Sequence, residues 1–475
     1  MLIDGKHVEA KSNATIEILN SATQELIDTV PDAGEEDMLL AIAAAQNGKM
    51  VWAETPQYSR SKILLKWADS VEANQEEIAR MLTTEMGKVI SATRFEIGCA
   101  AQIIRGYAEV ADHMYGQVMP DYQQGCEKDV IFTKREPLGV VAAITPFNYP
   151  VELCYHKVAA ALAVGNAVII KPSTYNPMAL LRVAELGWEA GIPGNVLQVV
   201  TGDGPLLGKV LSTSKDIDAI SLTGSTAAGV QVATQAAATL KHLSLELGGN
   251  DPLVVFEDAD MELAVGEALS GRLANAGQTC CAPKRFIVHS SIAEEFTQGL
   301  VSGIKKLKRG CPHNDDTELG SLITPKAAEQ VKKQVEQTIA QGAKCVHGGN
   351  LYDVTYFEPT VLTGVTRDMD IASDMEVFGP VFPIIIFETF DEAIELANNT
   401  QYGLQAGVIS KDFSKAMRAA SKIKAGGIVI NGSGCYRNVN QHFGGVKMSG
   451  IGREGIACTL TEMTHVKSYI LKNVM

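Results

Sequence analysis

Between Pro137 and Glu246 the chain alternates short aliphatic runs with amphipathic segments. Val140 to Ile144, Ala167 to Ile170, Val196 to Val200, Ile217 to Leu222 and Leu243 to Leu245 are apolar runs of strand length. The stretches between them have helical spacing. Pro177 to Ala190 is one, with Asn176 placed to cap it, Pro177 at its first position and Gly191 to stop it. Strands alternating with helices imply parallel β-α-β units with helices on both faces of the sheet, so the fold class is α/β and doubly wound, a candidate nucleotide domain.

A second alternation follows Gly248. Leu253 to Phe256, a helix from about Met261, Arg285 to His289, a helix from about Ile292, Val381 to Phe387 and a helix near Asp391 to Asn398 read as a second α/β domain. Leu39 to Gly98 predicts long helices, and the polar, alternating stretch Val118 to Arg135 predicts a protruding hairpin. His465 to Leu471 has the mixed pattern of a strand at the end of the chain. Exposed strand-like segments of this kind find partners on other subunits, which predicts a homo-oligomer, dimer or tetramer.

Composition narrows the possible partners. At 475 residues and 46% hydrophobic, the chain calls for two or three packed domains. Its 41 basic against 55 acidic residues, a net charge of −14, argue against nucleic acid or an anionic membrane surface and for a small-molecule client. The N-terminus lacks the pattern of a secretory signal. The longest apolar stretch, Val158 to Ile170, is too short for a bilayer and is broken by Gly165 and Asn166. Nine scattered cysteines, an odd number, predict free thiols in a reducing cytoplasm. None of their spacings resembles a metal site, so no metal is expected.

The candidate chemistry lies in two motifs. Asn275-Ala276-Gly277-Gln278 runs into Thr279, Cys280 and Cys281, and Glu246-Leu247-Gly248-Gly249 lies upstream. A thiol that attacks a carbonyl needs a positioned base to complete the reaction, so the two count for more together than apart. Glu246 ends an apolar run that carries it to the carboxyl edge of the sheet, where α/β proteins build their sites. Asn148 lies in a Pro-Phe-Asn-Tyr-Pro turn after a strand, where its amide and the backbone N–H of Cys280 would stabilise an oxyanion. Gly224 to Gly229 opens a helix after a strand, a natural pyrophosphate site. The common Gly-x-Gly-x-x-Gly fingerprint is absent, because Gly202-x-Gly204 is followed by Gly208. Taken singly, a cysteine is usually an inert buried thiol, a strand-end glutamate solvated surface, and a turn asparagine a matter of turn geometry.

Read together, these motifs resemble the NAD(P)-dependent aldehyde dehydrogenase superfamily over nearly the whole length. The resemblance rests on Thr84-Glu85-Met86-Gly87-Lys88, Pro146-Phe147-Asn148-Tyr149-Pro150, Lys171-Pro172-Ser173, Leu222-Thr223-Gly224-Ser225, Glu246-Leu247-Gly248-Gly249, Gly277-Gln278-Thr279-Cys280, Glu376-Val377-Phe378-Gly379-Pro380 and Phe443-Gly444-Gly445. It implies the aldehyde dehydrogenase fold: a Rossmann-like cofactor-binding domain (1-114 and 138-247), a catalytic domain (248-455) and a small β oligomerisation arm (115-137 and 456-475). It implies that Cys280 rather than Cys281 is the nucleophile, Glu246 the general base and Asn148 the oxyanion donor. The presence of Glu246 argues against the branch that passes the acyl group to coenzyme A. For NAD or NADP it implies a site made by Ile144, Thr145, Pro146, Phe147, Lys171, Ser173, Thr174, Gly204, Pro205, Gly208, Thr223, Gly224, Ser225, Leu247, Glu376 and Phe378. Lys171 would bond the adenosine ribose, Ser225 the phosphate, and Glu376 with Phe378 the nicotinamide end. Cys281 is expected to pack, though its closeness to Cys280 makes a vicinal oxidative link conceivable.

Departures from the family pattern carry information. Many NAD-specific members have a glutamate three residues after the lysine, where this chain has Thr174, so NADP should be tolerated or preferred. Succinate-semialdehyde members hold the distal carboxylate with two arginines, at positions occupied here by His156 and Ala274. Tyr155-His156-Lys157 and Arg437 are more like the lactaldehyde and non-phosphorylating glyceraldehyde-3-phosphate branch. His156, Arg437 and His442 would then line a small polar substrate site for a lactaldehyde-, glycolaldehyde- or glyceraldehyde-like aldehyde, with or without an anionic tail. The alternatives are a succinate-semialdehyde dehydrogenase, a catalytically inactive structural relative, or a thiol hydrolase that would need a histidine beside Cys280.

Overall fold

The computed structural model describes residues 1–120 and 122–474. Asp121, inside the predicted hairpin, and Met475, at the end of the predicted arm, lie outside the described residues.

The aliphatic runs of the first half become one sheet. Its parallel strands lie in the spatial order His242–Glu246, Ala219–Thr223, Val140–Ile144, Ala167–Lys171, Leu197–Val199. The strand order reverses between Val140–Ile144 and Ala219–Thr223, because successive strands step away in opposite directions from this pair. A crevice must open at their carboxyl ends, which is where doubly wound sheets bind ligands. Helices cover both faces. Pro150–Ala163 and Met178–Ala190 join one buried cluster with Trp52, Trp67 and Tyr107, while Met38, Ala41 and Leu207 join the other.

The second sheet runs Lys344–His347, Thr360–Val365, Val381–Phe387, Arg285–His289, Pro252–Val255, Gln405–Ile409, Gly427–Ile430, with only the first pair antiparallel. Its own buried cluster is built from Leu253, Phe286, Phe296, Phe382 and their neighbours. Two of its strands carry no aliphatic run to announce them. Gln405–Ile409 contains Gly407, where a Cβ would lie 2.5 Å from the carbonyl oxygen of Gly432, so close backbone approach rather than side-chain hydrophobicity sets this strand.

Three local expectations are corrected. The helix begins at Met178 with Pro177 as its cap residue, and Asn176 instead donates its amide to the Phe147 carbonyl at 2.7 Å. The cap comes from elsewhere in the chain: Glu85 accepts from the N–H of Met178 at 2.9 Å and of Ala179 at 3.0 Å. The two arm segments pair within this chain, with Thr464–Leu471 running antiparallel to Val130–Pro137 over eight residues and Val118–Met119 on its far side. Finally, residues 450–462 leave the second sheet. Gly450–Ile451 adds to the strand His242–Glu246, and Ile456 and Leu460 pack into the first domain's core.

Burial pushes the Glu85 carboxyl up to about 8, against the opposing pull of the Ala179 and Met178 N–H groups. Between its ordinary value of 4.5 and 8 the unfolded chain gives up this proton while the folded chain keeps it, so stability falls as pH rises through that window. Glu85→Gln keeps one of the two oxygens that accept from Met178 and Ala179, a loss that does not vary with pH, and has no charge to bury. Its melting temperature should therefore gain on the wild type progressively from about pH 5 to 8 and level off above; a constant difference across that range would contradict the account.

Candidate active site

Three neighbouring strand ends feed the crevice. Val140–Ile144 runs into Thr145 to Tyr149, Ala219–Thr223 into Gly224 and Ser225, and His242–Glu246 terminates on Glu246 itself. A cavity of about 540 Å³ opens there, and every residue expected to hold the dinucleotide lines it, together with Cys280 and Asn148. Leu222, Ala228 and Gly248, which lie within the motifs, and Lys209, Gln231, Val232 and Gln235, which lie outside them, complete the wall.

The wall suits a nucleotide. Ser225 caps the helix Thr226–Ala236 by accepting from the Ala228 N–H at 3.3 Å, so the positive end of an 11-residue helix meets the cavity. Gly204, Gly208 and Gly224 leave stretches of wall without side chains; a Cβ at Gly208 would meet nothing within 4 Å. Lys171 stands 4% exposed, and burial lowers its ammonium to about 8, with Asp203 and Asp32 acting in the opposite direction. At the other end Glu376 accepts from the Gly249 N–H at 3.1 Å, and Phe378 meets Phe147 edge to face with centroids 5.9 Å apart.

Asn148 is held from three directions. Its carbonyl accepts from the Lys88 ammonium at 2.7 Å and from the Asn275 amide at 3.0 Å, and its own amide donates to the Gln278 carbonyl at 2.9 Å. Lys88 is also paired with Glu96 at 2.6 Å, with both side chains fully buried. Glu96 in turn accepts from the Val151 N–H at 3.0 Å, capping the helix Pro150–Ala163. The asparagine on the first domain is thus registered against the loop that carries Cys280 on the second.

That loop has an unusual backbone. Asn275 and Ala276 are left-handed, with φ of 50° and 53°, and Gly277 follows at 80°. A Cβ at Gly277 would also lie 2.3 Å from the Gly379 carbonyl oxygen, so this position needs glycine for both conformation and space. Gln278 then locks the turn by donating to Asn275 and Ser321 and accepting from the Ile323 N–H. Lys284, 1% exposed, donates to the Cys280 carbonyl and lies 3.4 Å from Glu376. Cys280 touches the cavity on one side. On the other it packs against a cluster of Cys281, Leu404 and Phe443, with Cys435 beside it. A hydrogen bond with Cys281 and burial raise the Cys280 thiol well above its ordinary value, so it rests protonated.

Glu246 is 4% exposed, and neither carboxyl oxygen has a hydrogen-bond partner. Gly444 makes room for it; a Cβ there would lie 2.8 Å from Oε1, at a φ of 150°. Burial pushes its carboxyl well up, the Glu454 carboxylate adds to this, and Lys157 and Arg437 oppose it.

The three residues expected at the substrate do not form one wall. His156 is fully buried, its Nδ1 lies 3.1 Å from the Tyr107 hydroxyl, and Nε2 has no partner. Burial and the Arg437 guanidinium lower its imidazole to about 3, so it is neutral. Arg437 stacks 4.0 Å above the Phe443 ring and pairs with Glu454 at 2.6 Å; Glu454 also takes Lys157 at 2.7 Å. His442 does not join them. It is exposed, because the next residue, Phe443, is the one turned into the thiol cluster. Lys88, Asn275 and Lys157 stand inside the quoted motifs but carried no role there, and Glu96, Lys284 and Glu454 lie outside them. The available signal at Glu96 and Lys157 is a charge among the apolar residues of the helices Ile90–Ala111 and Pro150–Ala163.

Comparison with known proteins places these features in a family. The model of the aldehyde dehydrogenase family matches residues 7–469. A glutarate-semialdehyde dehydrogenase of Pseudomonas putida is 37% identical over 98% of this chain and 96% of its own length. A lactaldehyde dehydrogenase of Methanococcus vannielii is 36% identical over all of both chains. The crystal structure of the glyceraldehyde-3-phosphate dehydrogenase GapN from Methanocaldococcus jannaschii, complexed with NADP, superposes with a TM-score of 0.92 at 35% identity, covering 96% of this chain and 99% of that one.

Proposed function

The chain belongs to the aldehyde dehydrogenase family, and from that premise we propose that it oxidises a small polar aldehyde of the lactaldehyde, glycolaldehyde or glyceraldehyde kind to its carboxylic acid through a thioester on Cys280. It is an NAD(P)-dependent enzyme. One observation carries the detailed reading: Cys280 and Asn148 share a single cavity with the dinucleotide wall, and the adjacent strand ends on a buried, unpartnered Glu246.

In this reading Gly224 and Ser225 hold the pyrophosphate, Gly204 and Pro205 flank the adenine, Lys171 bonds the adenosine ribose, and Glu376 with Phe378 holds the nicotinamide end. The bound dinucleotide supplies the acceptor for the hydride that the tetrahedral carbon expels. Cys280 gives its proton to water in the cavity that it lines, and its sulfur adds to the aldehyde carbon. The amide hydrogen of Asn148 not engaged by Gln278, with the Cys280 N–H, stabilises the developing oxyanion. Glu246 as carboxylate then takes a proton from water, and the hydroxide attacks the thioester and releases the acid and the thiolate. The raised pKa makes Glu246 a stronger base once it is ionised. Glu246→Gln should give a single burst of reduced cofactor and then a steady rate lower by about 10²–10⁴-fold; steady turnover at the wild-type rate would rule out the role.

A semialdehyde is the second reading, favoured by the names of several relatives, the Pseudomonas enzyme among them. It is the weaker one here, since Arg437 is already committed to Glu454, and His156 is neutral.

We infer that NADP is tolerated or preferred. Ser173, Thr174 and Lys209 line the cavity that contains Lys171, and Glu376, placed in this reading at the nicotinamide end, is the one carboxylate among the described lining residues. Thr174→Glu should lower kcat/KM with NADP, relative to NAD, by at least about tenfold through charge repulsion. An overwhelming wild-type preference for NAD would overturn the inference.

We also propose a homo-oligomer. The strand Thr464–Leu471 uses one edge for Val130–Pro137, and Val466, Ile470 and Leu471 on it are exposed. Size-exclusion light scattering should return a multiple of the monomer mass, and a monomer at all concentrations would sink this part.

A further inference from the structure

Glu152 is a buried acid that the proposed chemistry leaves unused. It lies in the first turn of Pro150–Ala163, three residues after Tyr149 and four before His156, so the three share a helix face. Its side chain is 8% exposed and its carboxyl makes no hydrogen bond among the described residues. Lys88, Glu96 and Cys99 face it from the region of helix Ile90–Ala111, and Arg437 and Glu454 face it from the C-terminal segment.

The charges around it are almost entirely committed. Lys88 is paired with Glu96 at 2.6 Å, and Glu454 is shared by Lys157 at 2.7 Å and Arg437 at 2.6 Å. With the buried Glu246 carboxyl protonated, one positive charge is left over, and an ionised Glu152 cancels it. Two further buried polar atoms in the same cluster lack a partner, Arg437 Nε and His156 Nε2. The cluster adjoins the nucleophile through residues outside the cofactor cavity. Arg437 stacks on Phe443, which packs with the Cys280–Cys281 pair, and the Tyr149 hydroxyl is 3.4 Å from Thr279 Oγ1.

The unpartnered Arg437 Nε–H, in one charged cluster with the Glu152 carboxyl, suits a group that both gives and takes a hydrogen bond. We propose that Glu152 sets the substrate class: its carboxyl accepts the hydrogen of a hydroxyl carried by the aldehyde, with Arg437 alongside, and it disfavours a carboxylate, sulfonate or phosphate tail. This rests on the small-polar-aldehyde reading above. An anionic tail would bring an uncompensated negative charge to a cluster that Glu152 has already made neutral. Burial raises the Glu152 carboxyl to about 7, with Arg437 and Lys88 opposing and Glu96 and Glu454 assisting. Both protonation states bond a hydroxyl, but only the carboxylate repels an anion.

The test uses the whole enzyme, with saturating cofactor, on lactaldehyde, propanal and succinate semialdehyde. In the wild type the ratio of kcat/KM for lactaldehyde over succinate semialdehyde should rise several-fold from about pH 6 to 8. Effects common to both aldehydes cancel in the ratio, and the Glu152→Gln variant, which keeps Glu246, separates the charge of Glu152 from that of Glu246. Glu152→Gln should flatten that rise and lower the ratio of lactaldehyde to propanal by about tenfold, as expected for a lost charge-assisted hydrogen bond. A wild type that ranks propanal above lactaldehyde defeats the substrate reading and this proposal with it. A wild type with the expected ranking, whose Glu152→Gln variant keeps both ratios, defeats the role of Glu152 alone. If that variant does not fold, the wild-type measurement decides: a pH-independent ratio overturns the proposal.

Discussion

The buried pair of Lys88 and Glu96 is the constraint on which the site depends. Both side chains are fully buried, so each charge is tolerable only because the other lies 2.6 Å away and every remaining valence is used. Lys88 spends its other bond on the Asn148 carbonyl and lies 3.6 Å above the Tyr149 ring; Glu96 spends its own on the N–H groups that open Pro150–Ala163. The pair therefore joins a helix, a turn and the start of a second helix at one point. The geometry of Asn148 follows from charge satisfaction rather than from the turn alone. Removing either partner would leave an uncompensated buried charge, at a cost of about 3–5 kcal/mol.

The second domain meets this point with a strained loop. Two consecutive left-handed non-glycine residues, Asn275 and Ala276, are held because Asn275 bonds Asn148 and Gln278 bonds three backbone groups around it. The strain brings Cys280 to the edge of a cavity whose remaining wall belongs almost wholly to the first domain. Each domain alone lacks half of the chemistry. The proposed nucleophile Cys280 is on one, and Asn148, Glu246 and most of the wall of the proposed dinucleotide site are on the other.

Beneath the site lies a concentration of buried charge rare in protein cores. Glu96, Glu152, Glu246 and Glu454 are all less than 9% exposed, against Lys88, Lys157 and Arg437. Burial raises Glu246 and Glu152, whereas Lys157 and Arg437 outweigh burial at Glu454 and hold it far below the carboxylate range. Carboxyls of one chemistry are thereby separated into a permanent anion, a base that ionises reluctantly and an acid near neutrality. The differences arise from whether a cation touches each one: among the described residues Glu454 has two, and Glu246 and Glu152 have none.

The sequence by itself determined the doubly wound order of strands and helices and the strand ends, and it singled out Cys280, Glu246 and Asn148 as candidates. These are written in short-range patterns: an apolar run makes a strand, the strand's end delivers the next residue to the sheet edge, and glycine marks the turn beyond. Only the tertiary structure decided what surrounds them. The cap on Met178–Ala190 is Glu85, 93 residues away, where adjacency suggested Asn176. Lys157 finds Glu454 across 297 residues, and His442, adjacent to an inward phenylalanine, is left at the surface. Pairings of this kind depend on the path of the chain through two domains, and a local pattern carries no record of that path. The same separation explains why Glu152 gave no signal in the sequence: a glutamate in the first turn of a helix is ordinary, and becomes distinctive only when the cations around it are already taken.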